Sequence, residues 1–173
     1  VYKRQMPGEV DVSVRPGWYY HAAEDNKVKS VAHLVDIYYQ SVGRNANLLL
    51  SFCPDRHGRI HPIDSARTVE WWATIQRELK ENILVNARVT ANQVRGKGFE
   101  AERVNDGLPG TYWATPDGVS TGVLTFTFDA PQRVNRLLLQ EYLELGQRVA
   151  SFSVDFQRPD GTFAPLPLEE KTT

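Results

Sequence analysis

The sequence predicts an α/β unit followed by an all-β unit. Strand-like and helix-like patterns alternate from residue 9 to about residue 80, which is the order of a parallel α/β fold. From Asn86 on, short alternating runs are separated by turn signals such as Asn105-Asp106-Gly107, and this punctuation is typical of all-β domains. The character of the sequence changes near Glu81-Asn82. We therefore place a domain boundary between residues 82 and 83.

The composition excludes several classes of partner and site. The chain has 173 residues, of which 41% are hydrophobic and 24% charged, with a formal net charge of -1, so we expect neither a nucleic-acid partner nor a membrane partner. The longest apolar run, at residues 48–50, is too short to cross a bilayer. Cys53 is the only cysteine, which excludes an internal disulfide, and we expect it to be buried rather than reactive. No histidine spacing suggests a metal site, and we expect no metal and no cofactor.

The first element is a strand that stops abruptly. Valines alternate with polar residues over residues 10–14, a period-two pattern that fits a pleated strand. Pro16 lacks the N–H group that a strand ladder needs, and Gly17 follows it, so we expect the strand to stop at Arg15. The mixture of apolar and polar side chains just after this point suits a ligand-binding rim. The spacing alone leaves open that Trp18 instead covers the edge of a core.

A helix, a buried strand and a second helix follow. Apolar residues recur every three or four positions over residues 28–42, which predicts a helix. The three leucines at residues 48–50 form a continuous apolar run, typical of a strand covered on both faces. Asp64 or Ser65 can cap the second helix. Trp72 lies on the apolar stripe of that helix, and we expect it to pack inward.

The second half predicts a partial β-sandwich or jelly roll. Residues 124–128 alternate well, residues 137–140 are mostly apolar, and residues 151–156 place large apolar side chains on one face. Short strands with turns between them are typical of such antiparallel folds. The number of strands is smaller than a sandwich usually has, so we expect this domain to be incomplete at its C-terminus.

Several stretches of the sequence resemble the retaining α-L-fucosidases of glycoside hydrolase family twenty-nine. In the first half they are EVDVSVRPGWYYH at residues 9–21, VKS at residues 28–30, IYYQSVGRNANLLL at residues 37–50 and PDRHGRI at residues 54–60. In the second half, VRGKGFEAERVNDGLPGTYWAT at residues 94–115 and LQEYLELGQRV at residues 139–149 resemble the discoidin-like β-sandwich of the bacterial branch. The resemblance is to the C-terminal part of such a protein and covers nearly the whole chain.

The resemblance implies a fold and a function. Residues 1–82 are expected to be the C-terminal end of a (β/α) barrel catalytic domain, and residues 83–173 an incomplete discoidin-like β-sandwich. The implied reaction is the hydrolysis of terminal α-L-fucose from glycans with retention. The implied partners are a fucosylated oligosaccharide or glycoconjugate as substrate and the remainder of the catalytic domain. A periplasmic or secreted location in a bacterium is implied by the resemblance alone.

The resemblance also implies candidate site residues at the carboxyl ends of the barrel strands, where such barrels have their active sites. Trp18 matches the family tryptophan that packs on fucose, and Arg15 is expected to bind substrate beside it. Retaining hydrolysis needs two carboxyl groups about 5 Å apart. The nucleophile is expected outside this chain, so the 173-residue chain alone is expected to be inactive. The acid/base residue is expected upstream of Val1, and Glu9 is the fallback; the alternative for Glu9 is a strand carboxylate paired with Arg15 or Lys3.

Two other classes of function stay open at this stage. One is a non-catalytic carbohydrate-binding module of discoidin-like type with a helical head, which would bind sugar without turnover. The other is a purely structural interaction segment, which burial of both Trp18 and Arg15 would favour.

Overall fold

A computed structural model describes residues 8–166 of the chain. The chain divides into two compact units, Val1–Glu81 and Asn82–Thr173, called the first and the second unit below. Along the part of the chain that the structure describes, no helix is both long and apolar enough to cross a membrane.

The first unit is an α/β structure with the predicted β-α-β-α order. Its two strands pair in parallel, with Glu9 opposite Asn47 and Ser13 opposite Ser51. Two 3-10 helices add to the connections, before the first α-helix and after it. In chain order the elements are β1 at Glu9–Ser13, a 3-10 helix at Ala22–Lys27, α1 at Val31–Ser41, a 3-10 helix at Val42–Arg44, β2 at Asn47–Ser51 and α2 at Pro62–Glu78.

Both α-helices begin at identifiable caps. The Ser30 hydroxyl accepts a hydrogen bond from the His33 N–H at 3.2 Å, which fixes the start of α1. In α2, His61 is the N-cap: its Nδ1 accepts from the Ile63 N–H at 3.3 Å, and a proline occupies the first turn. Neither Asp64 nor the serine after it caps this helix. That prediction was wrong because Asp64 is buried inside the unit and pairs with a distant arginine.

The core of the first unit lies between the helices and one face of β2. Leu34 of α1 packs with Trp71 and Ile75 of α2, and Leu48 and Leu50 of β2 pack against this cluster. Leu49, which lies between them, is half exposed. Successive strand residues point to opposite faces, and the helices cover only the face that carries its two neighbours. The continuous leucine run is therefore not covered on both faces here.

The two neighbouring tryptophans of α2 differ in burial, and the buried one is not the one that the sequence predicts. Trp71 is buried, whereas the side chain of Trp72 is 49% exposed. The buried Ile75 lies four positions after Trp71, so these two side chains share one face of the helix. The expectation that Trp72 packs inward was wrong because the stripe facing the core runs one position earlier.

The second unit is built from short antiparallel pairs. The strands are β3 at Arg88–Ala91, β4 at Leu124–Thr127, β5 at Asp155–Gln157 and β6 at Phe163–Pro165; the 3-10 helices are Ile83–Asn86, Ala101–Val104 and Leu143–Leu145. β3 pairs with β4, and β5 pairs with β6, in two separate two-stranded sheets. Over residues 82–166 the apolar segment at residues 137–140 forms no strand.

Candidate functional site

The candidate site is built on the segment that leaves the carboxyl end of β1, residues 14–21, which we call the rim loop. The Val14 N–H still donates to the Ser51 carbonyl at 3.0 Å, so the rim loop starts beside the carboxyl end of β2. From Val14 on, the chain turns through a series of bends instead of continuing the strand. Pro16 cannot donate to a strand ladder. The parallel pairing thus brings the ends of β1 and β2 together at one edge.

Two aromatic side chains of the rim loop face outward. Trp18 is 56% exposed and Tyr19 is 79% exposed. Large apolar rings are usually buried, so two adjacent exposed ones form a surface that can pack against a ligand. In this structure Trp18 does not cover the edge of a core.

Arg15 belongs to the rim loop, but its side chain is fully buried on the inner side of the loop. Its Nε donates to Asp64 Oδ2 at 2.8 Å and its Nη2 donates to Asp64 Oδ1 at 2.9 Å, the fork-to-fork arrangement that makes arginine–carboxylate pairs strong. Nη2 also lies 2.9 Å from an oxygen of Asp25. The hydrogen bond with Asp64 is the main cause that raises the pKa of Arg15 above its ordinary value, against the opposing effect of burial. Arg15 is therefore a permanent cation fixed between two carboxylates.

Aromatic rings extend this charged cluster. The guanidinium carbon of Arg15 lies 4.8 Å from the centre of the Tyr20 ring, within the range of a cation–π contact. Tyr20 in turn stacks on His61, with ring centres 5.8 Å apart. Nε2 of His61 lies 3.6 Å from Oδ2 of Asp25, so the N-cap of α2 touches the same cluster.

The backbone of the rim loop is held by side chains from other elements. Lys29 Nζ donates to the carbonyls of Ser13 at 2.6 Å and of Arg15 at 3.1 Å. The buried Cys53 thiol, just past β2, donates to the Gly17 carbonyl at 3.4 Å. These bonds satisfy carbonyl groups that the broken strand leaves without a ladder partner. The rim loop is thus fixed on its inner side and open on its outer side.

A cleft of about 430 Å³ adjoins the rim loop. One wall is the turn after β2, in which the carboxylate of Asp55 accepts from the His57 N–H at 2.8 Å and the Arg59 N–H at 2.9 Å. The hydrogen bond from Arg59 is the largest cause that holds the pKa of Asp55 below its usual range. The lining residues are Tyr20, His21, Ala22, Asp55, Arg56 and His57.

The structure separates the three predicted site residues. Trp18 is on the outer face of the rim loop, whereas Arg15 is buried under it and is committed to Asp64 and Asp25. A direct contact of Arg15 with substrate is therefore not what this arrangement offers. Glu9 is the first residue of β1, at the opposite end of the strand from the rim loop. Arg15 is not its partner, and Lys3, the other suggested partner, lies outside the described residues.

Residues that the sequence did not indicate as parts of a site hold it together. Asp64 is 49 residues from Arg15 along the chain and stands in the first turn of a helix, where an aspartate is ordinary. Lys29 lies in the VKS stretch at residues 28–30, which carries the family resemblance, but nothing in that stretch or around Asp25 indicates what either side chain contacts. No local signal marks these contacts. Among residues 8–166, no cluster of three or more histidine, cysteine or acidic side chains is placed to hold a metal ion.

The first unit matches a known protein family. The family described as Alpha-L-fucosidase matches residues 3–78, the stretch that contains both strands and the rim loop. This stretch of the chain is therefore similar to the α-L-fucosidases. The predicted resemblance is thereby confirmed.

Relatives of the α-L-fucosidase family match most of the chain. A protein of Oryza sativa subsp. japonica named as an α-L-fucosidase is 38% identical over 154 residues, which are 87% of this chain and 29% of that protein. The α-L-fucosidase 1 of Arabidopsis thaliana is 34% identical over 157 residues, 88% of this chain and 30% of its own length.

Solved structures extend the likeness to the fold. A crystal structure from Bacteroides thetaiotaomicron, named as an α-L-fucosidase, has a TM-score of 0.81 and 38% identity, covering 94% of this chain and 35% of its own. A GH29 fucosidase of Ruminococcus gnavus in complex with fucose has a TM-score of 0.76 and 28% identity, covering 93% of this chain and 33% of its own. The chain thus spans about a third of the length of the α-L-fucosidases that it matches.

Proposed function

We propose that this chain is part of a retaining exo-α-L-fucosidase that removes terminal α-L-fucose from a glycan. In this proposal the first unit is the C-terminal end of a (β/α) barrel, and the second unit belongs to a discoidin-like β-sandwich. The family match over residues 3–78 supports the proposal for the first unit. The parallel strands with helices against them are the units from which such a barrel is made.

The observation that carries the proposal is the exposed Trp18 at the carboxyl end of a parallel strand pair. This is the end of the strands at which barrel enzymes place their active sites. A tryptophan ring offers a flat apolar face to the C–H side of a sugar and to the methyl group of a deoxy sugar. The relative from Ruminococcus gnavus was solved with fucose bound, so the substrate class of the proposal is fucose-bearing glycans.

In the proposed mechanism, two carboxyl groups about 5 Å apart carry out the two steps of retention. One attacks the anomeric carbon to form a glycosyl-enzyme ester while the other gives its proton to the leaving oxygen. The second group then takes a proton from water, whose oxygen displaces the ester. We propose that both carboxyl groups come from parts of the barrel outside this chain, because Glu9, the fallback for the acid/base residue, begins β1 at the end of the strand opposite the rim loop.

A turnover experiment tests the proposal. The full-length protein that contains this chain should hydrolyse an aryl α-L-fucoside and release the α-anomer of fucose first, as observed by NMR before mutarotation. The 173-residue chain should show no turnover under the same conditions. Release of the β-anomer would contradict retention, and turnover by the purified 173-residue chain would contradict the position given to the nucleophile.

A second test addresses Trp18. In the full-length protein, Trp18→Ala should weaken fucose binding by about 1–3 kcal/mol, the scale of losing a buried aromatic contact, with little change in melting temperature. Trp72→Ala is the matched control, because Trp72 is exposed to a similar extent but lies on α2. A large drop in melting temperature with unchanged fucose binding would make Trp18 a structural residue.

The competing reading as a non-catalytic carbohydrate-binding module is not favoured, because the relatives are named as fucosidases along most of this chain. Binding without turnover by the full-length protein would restore it. We also propose a periplasmic or secreted location in a bacterium, which fractionation of the source cells would test.

A further inference from the structure

A buried ion pair links the rim loop to the start of α2. Arg15 and Asp64 are both fully buried, and two hydrogen bonds join them at 2.8 Å and 2.9 Å. Asp25 approaches the same guanidinium from the 3-10 helix after the rim loop, at 2.9 Å. The rim loop, the 3-10 helix that follows it and the start of α2 thus meet at the side chain of Arg15, three residues before the exposed Trp18.

The contacts fix Arg15 at both its ends. Its guanidinium is rigid and planar. The Nε and Nη2 groups on one edge both donate to Asp64, so the plane cannot rotate without losing a hydrogen bond. Its backbone carbonyl accepts from Lys29 Nζ at 3.1 Å, and its N–H donates to the Ser13 hydroxyl at 3.2 Å. Trp18 is three residues further along the loop. The backbone of Trp18 therefore has little freedom once Arg15 is in place.

Stability alone does not account for this arrangement. Burying a guanidinium and a carboxylate carries a desolvation cost that an apolar pair of the same volume avoids. Yet the charged pair lies where the strands end and the rim loop begins, away from the Leu34–Trp71–Ile75 core cluster. The two directional hydrogen bonds of this pair fix the position of the rim loop relative to α2 more precisely than an apolar contact would.

We infer that Asp64, assisted by Asp25, is a positioning residue that sets the orientation of Trp18 through Arg15. The link to sugar binding rests on the proposed function, since it takes Trp18 as the surface that meets fucose. The positioning itself concerns only the contacts of the first unit and can be measured without any sugar.

The first experiment measures the order of the indole N–H groups by ¹⁵N relaxation in the 173-residue chain. In Asp64→Asn, the order parameter of the Trp18 indole should fall measurably below its wild-type value. The indole of Trp72 is the internal reference and should not change. Asp36→Asn, a substitution of an exposed aspartate on α1, is the control variant and should leave both indoles unchanged. An unchanged Trp18 order parameter in folded Asp64→Asn overturns the inference.

The second experiment is a double-mutant cycle on the dissociation constant of L-fucose in the full-length protein. Asp64→Asn should raise the constant several-fold, up to about tenfold, and should add nothing when combined with Trp18→Ala, because both changes remove the same contact. Asp64→Glu, which keeps the charge, should restore part of the affinity. Ile75→Val, a core change of the same unit, should leave the constant unchanged and combine additively with Trp18→Ala. Additive effects of Asp64→Asn and Trp18→Ala would overturn the inference.

Asp25→Asn is the second variant if Asp64→Asn does not fold, because Asp25 is partly exposed and its replacement leaves the Arg15–Asp64 pair in place. It should reduce the Trp18 order parameter and raise the fucose dissociation constant by about two- to threefold; no change in either overturns the inference. Wild-type protein that neither binds nor hydrolyses fucosides removes the proposed function, and the relaxation result still decides whether Asp64 positions Trp18. If the wild-type protein hydrolyses fucosides but Asp64→Asn leaves the Trp18 order parameter and the fucose dissociation constant unchanged, only the positioning role of Asp64 is removed.

Discussion

The two units of the chain stabilise themselves in different ways. The first unit buries large side chains, among them Leu34, Trp71 and Ile75, between two helices and a strand pair. In the second unit the buried hydrophobic residues are small: Ala87, Val89, Ala101 and Ala164. The strands of this unit have three or four residues each. Long helices collect many side chains on one face, whereas a short strand pair has few to offer.

The ion pairs differ in the same sense. In the first unit the Arg15–Asp64 pair has no exposed surface on either side chain. In the second unit Arg95 and Asp117 approach to 2.7 Å, but their side chains are 41% and 86% exposed. A pair surrounded by water contributes little, since solvent screens it and its side chains lose entropy. Only the buried pair can fix one element against another.

The largest effect is expected from breaking the buried pair on one side. Arg15→Met leaves Asp64 buried without its cation and should lower the free energy of unfolding of the first unit by about 3–5 kcal/mol. Arg95→Met is the matched change in the second unit and should leave stability unchanged within error. Hydrogen exchange followed by mass spectrometry, read on peptides from each unit, measures both. Equal effects of the two substitutions would remove the distinction between the units.

A core substitution is expected to come next. Ile75→Ala removes a fully buried side chain from the cluster with Leu34 and Trp71 and should cost about 2–5 kcal/mol. Val69→Ala, on the exposed side of the same helix, is the control and should have almost no effect. Urea unfolding monitored by far-UV circular dichroism gives both values. A small effect at Ile75 would mean that this core can collapse around a cavity.

The second unit has one tight contact that can be tested. A Cβ atom added at Gly122 would lie 2.6 Å from Cη2 of Trp113, and the indole cannot move freely because its Nε1 donates to the Gln93 carbonyl at 2.8 Å. Gly122→Ala should therefore destabilise the second unit by about 1–3 kcal/mol. Gly110→Ala meets nothing within 4 Å and serves as control. Thermal unfolding followed by Trp113 fluorescence, in a variant whose other tryptophans are phenylalanine, measures the difference.

The comparison also explains which features could be predicted from sequence. The β-α-β-α order of the first unit follows from periodic patterns that reflect local geometry, and these were recognised correctly. Pro16 and Gly17 mark the end of the first strand, but the spacing left open whether Trp18 is exposed or covers the edge of a core, and the structure shows it exposed. The prediction that Trp72 packs inward was wrong by one position, because with two adjacent tryptophans the apolar stripe of the helix can be drawn through either one.

The contacts that hold the rim loop could not be predicted in this way. Arg15 and Asp64 are joined across 49 residues, and nothing local in either segment names the other. In the second unit the partners of each strand are likewise set by distant pairings: β3 pairs with β4, which starts at Leu124. Periodicity predicts that strands exist there but not how they are arranged, so the complete β-sandwich stays a proposal.

The smallest effect concerns acid, and it compares one carboxylate from each unit. The pKa of Asp55 is lowered chiefly by the hydrogen bond from the Arg59 N–H, and the pKa of Asp106 is lowered chiefly by the one from the Leu108 N–H. A carboxyl group whose pKa is lower in the folded state stabilises the protein above its unfolded pKa of about 3.9, and this contribution is lost as the pH falls through the folded value.

Each unit should therefore lose stability as the pH falls below about 4, and Asp55→Asn should weaken that dependence only in the first unit. Asp106→Asn should weaken it only in the second, since its bonds to Leu108 and to the Thr111 hydroxyl lie in that unit. Hydrogen exchange at pH 5 and pH 3, corrected for the intrinsic exchange rate, gives the change for each unit from one sample. A loss of the dependence in both units from either single substitution would show that the two units unfold together, and the separate treatment of their stabilities would then fail.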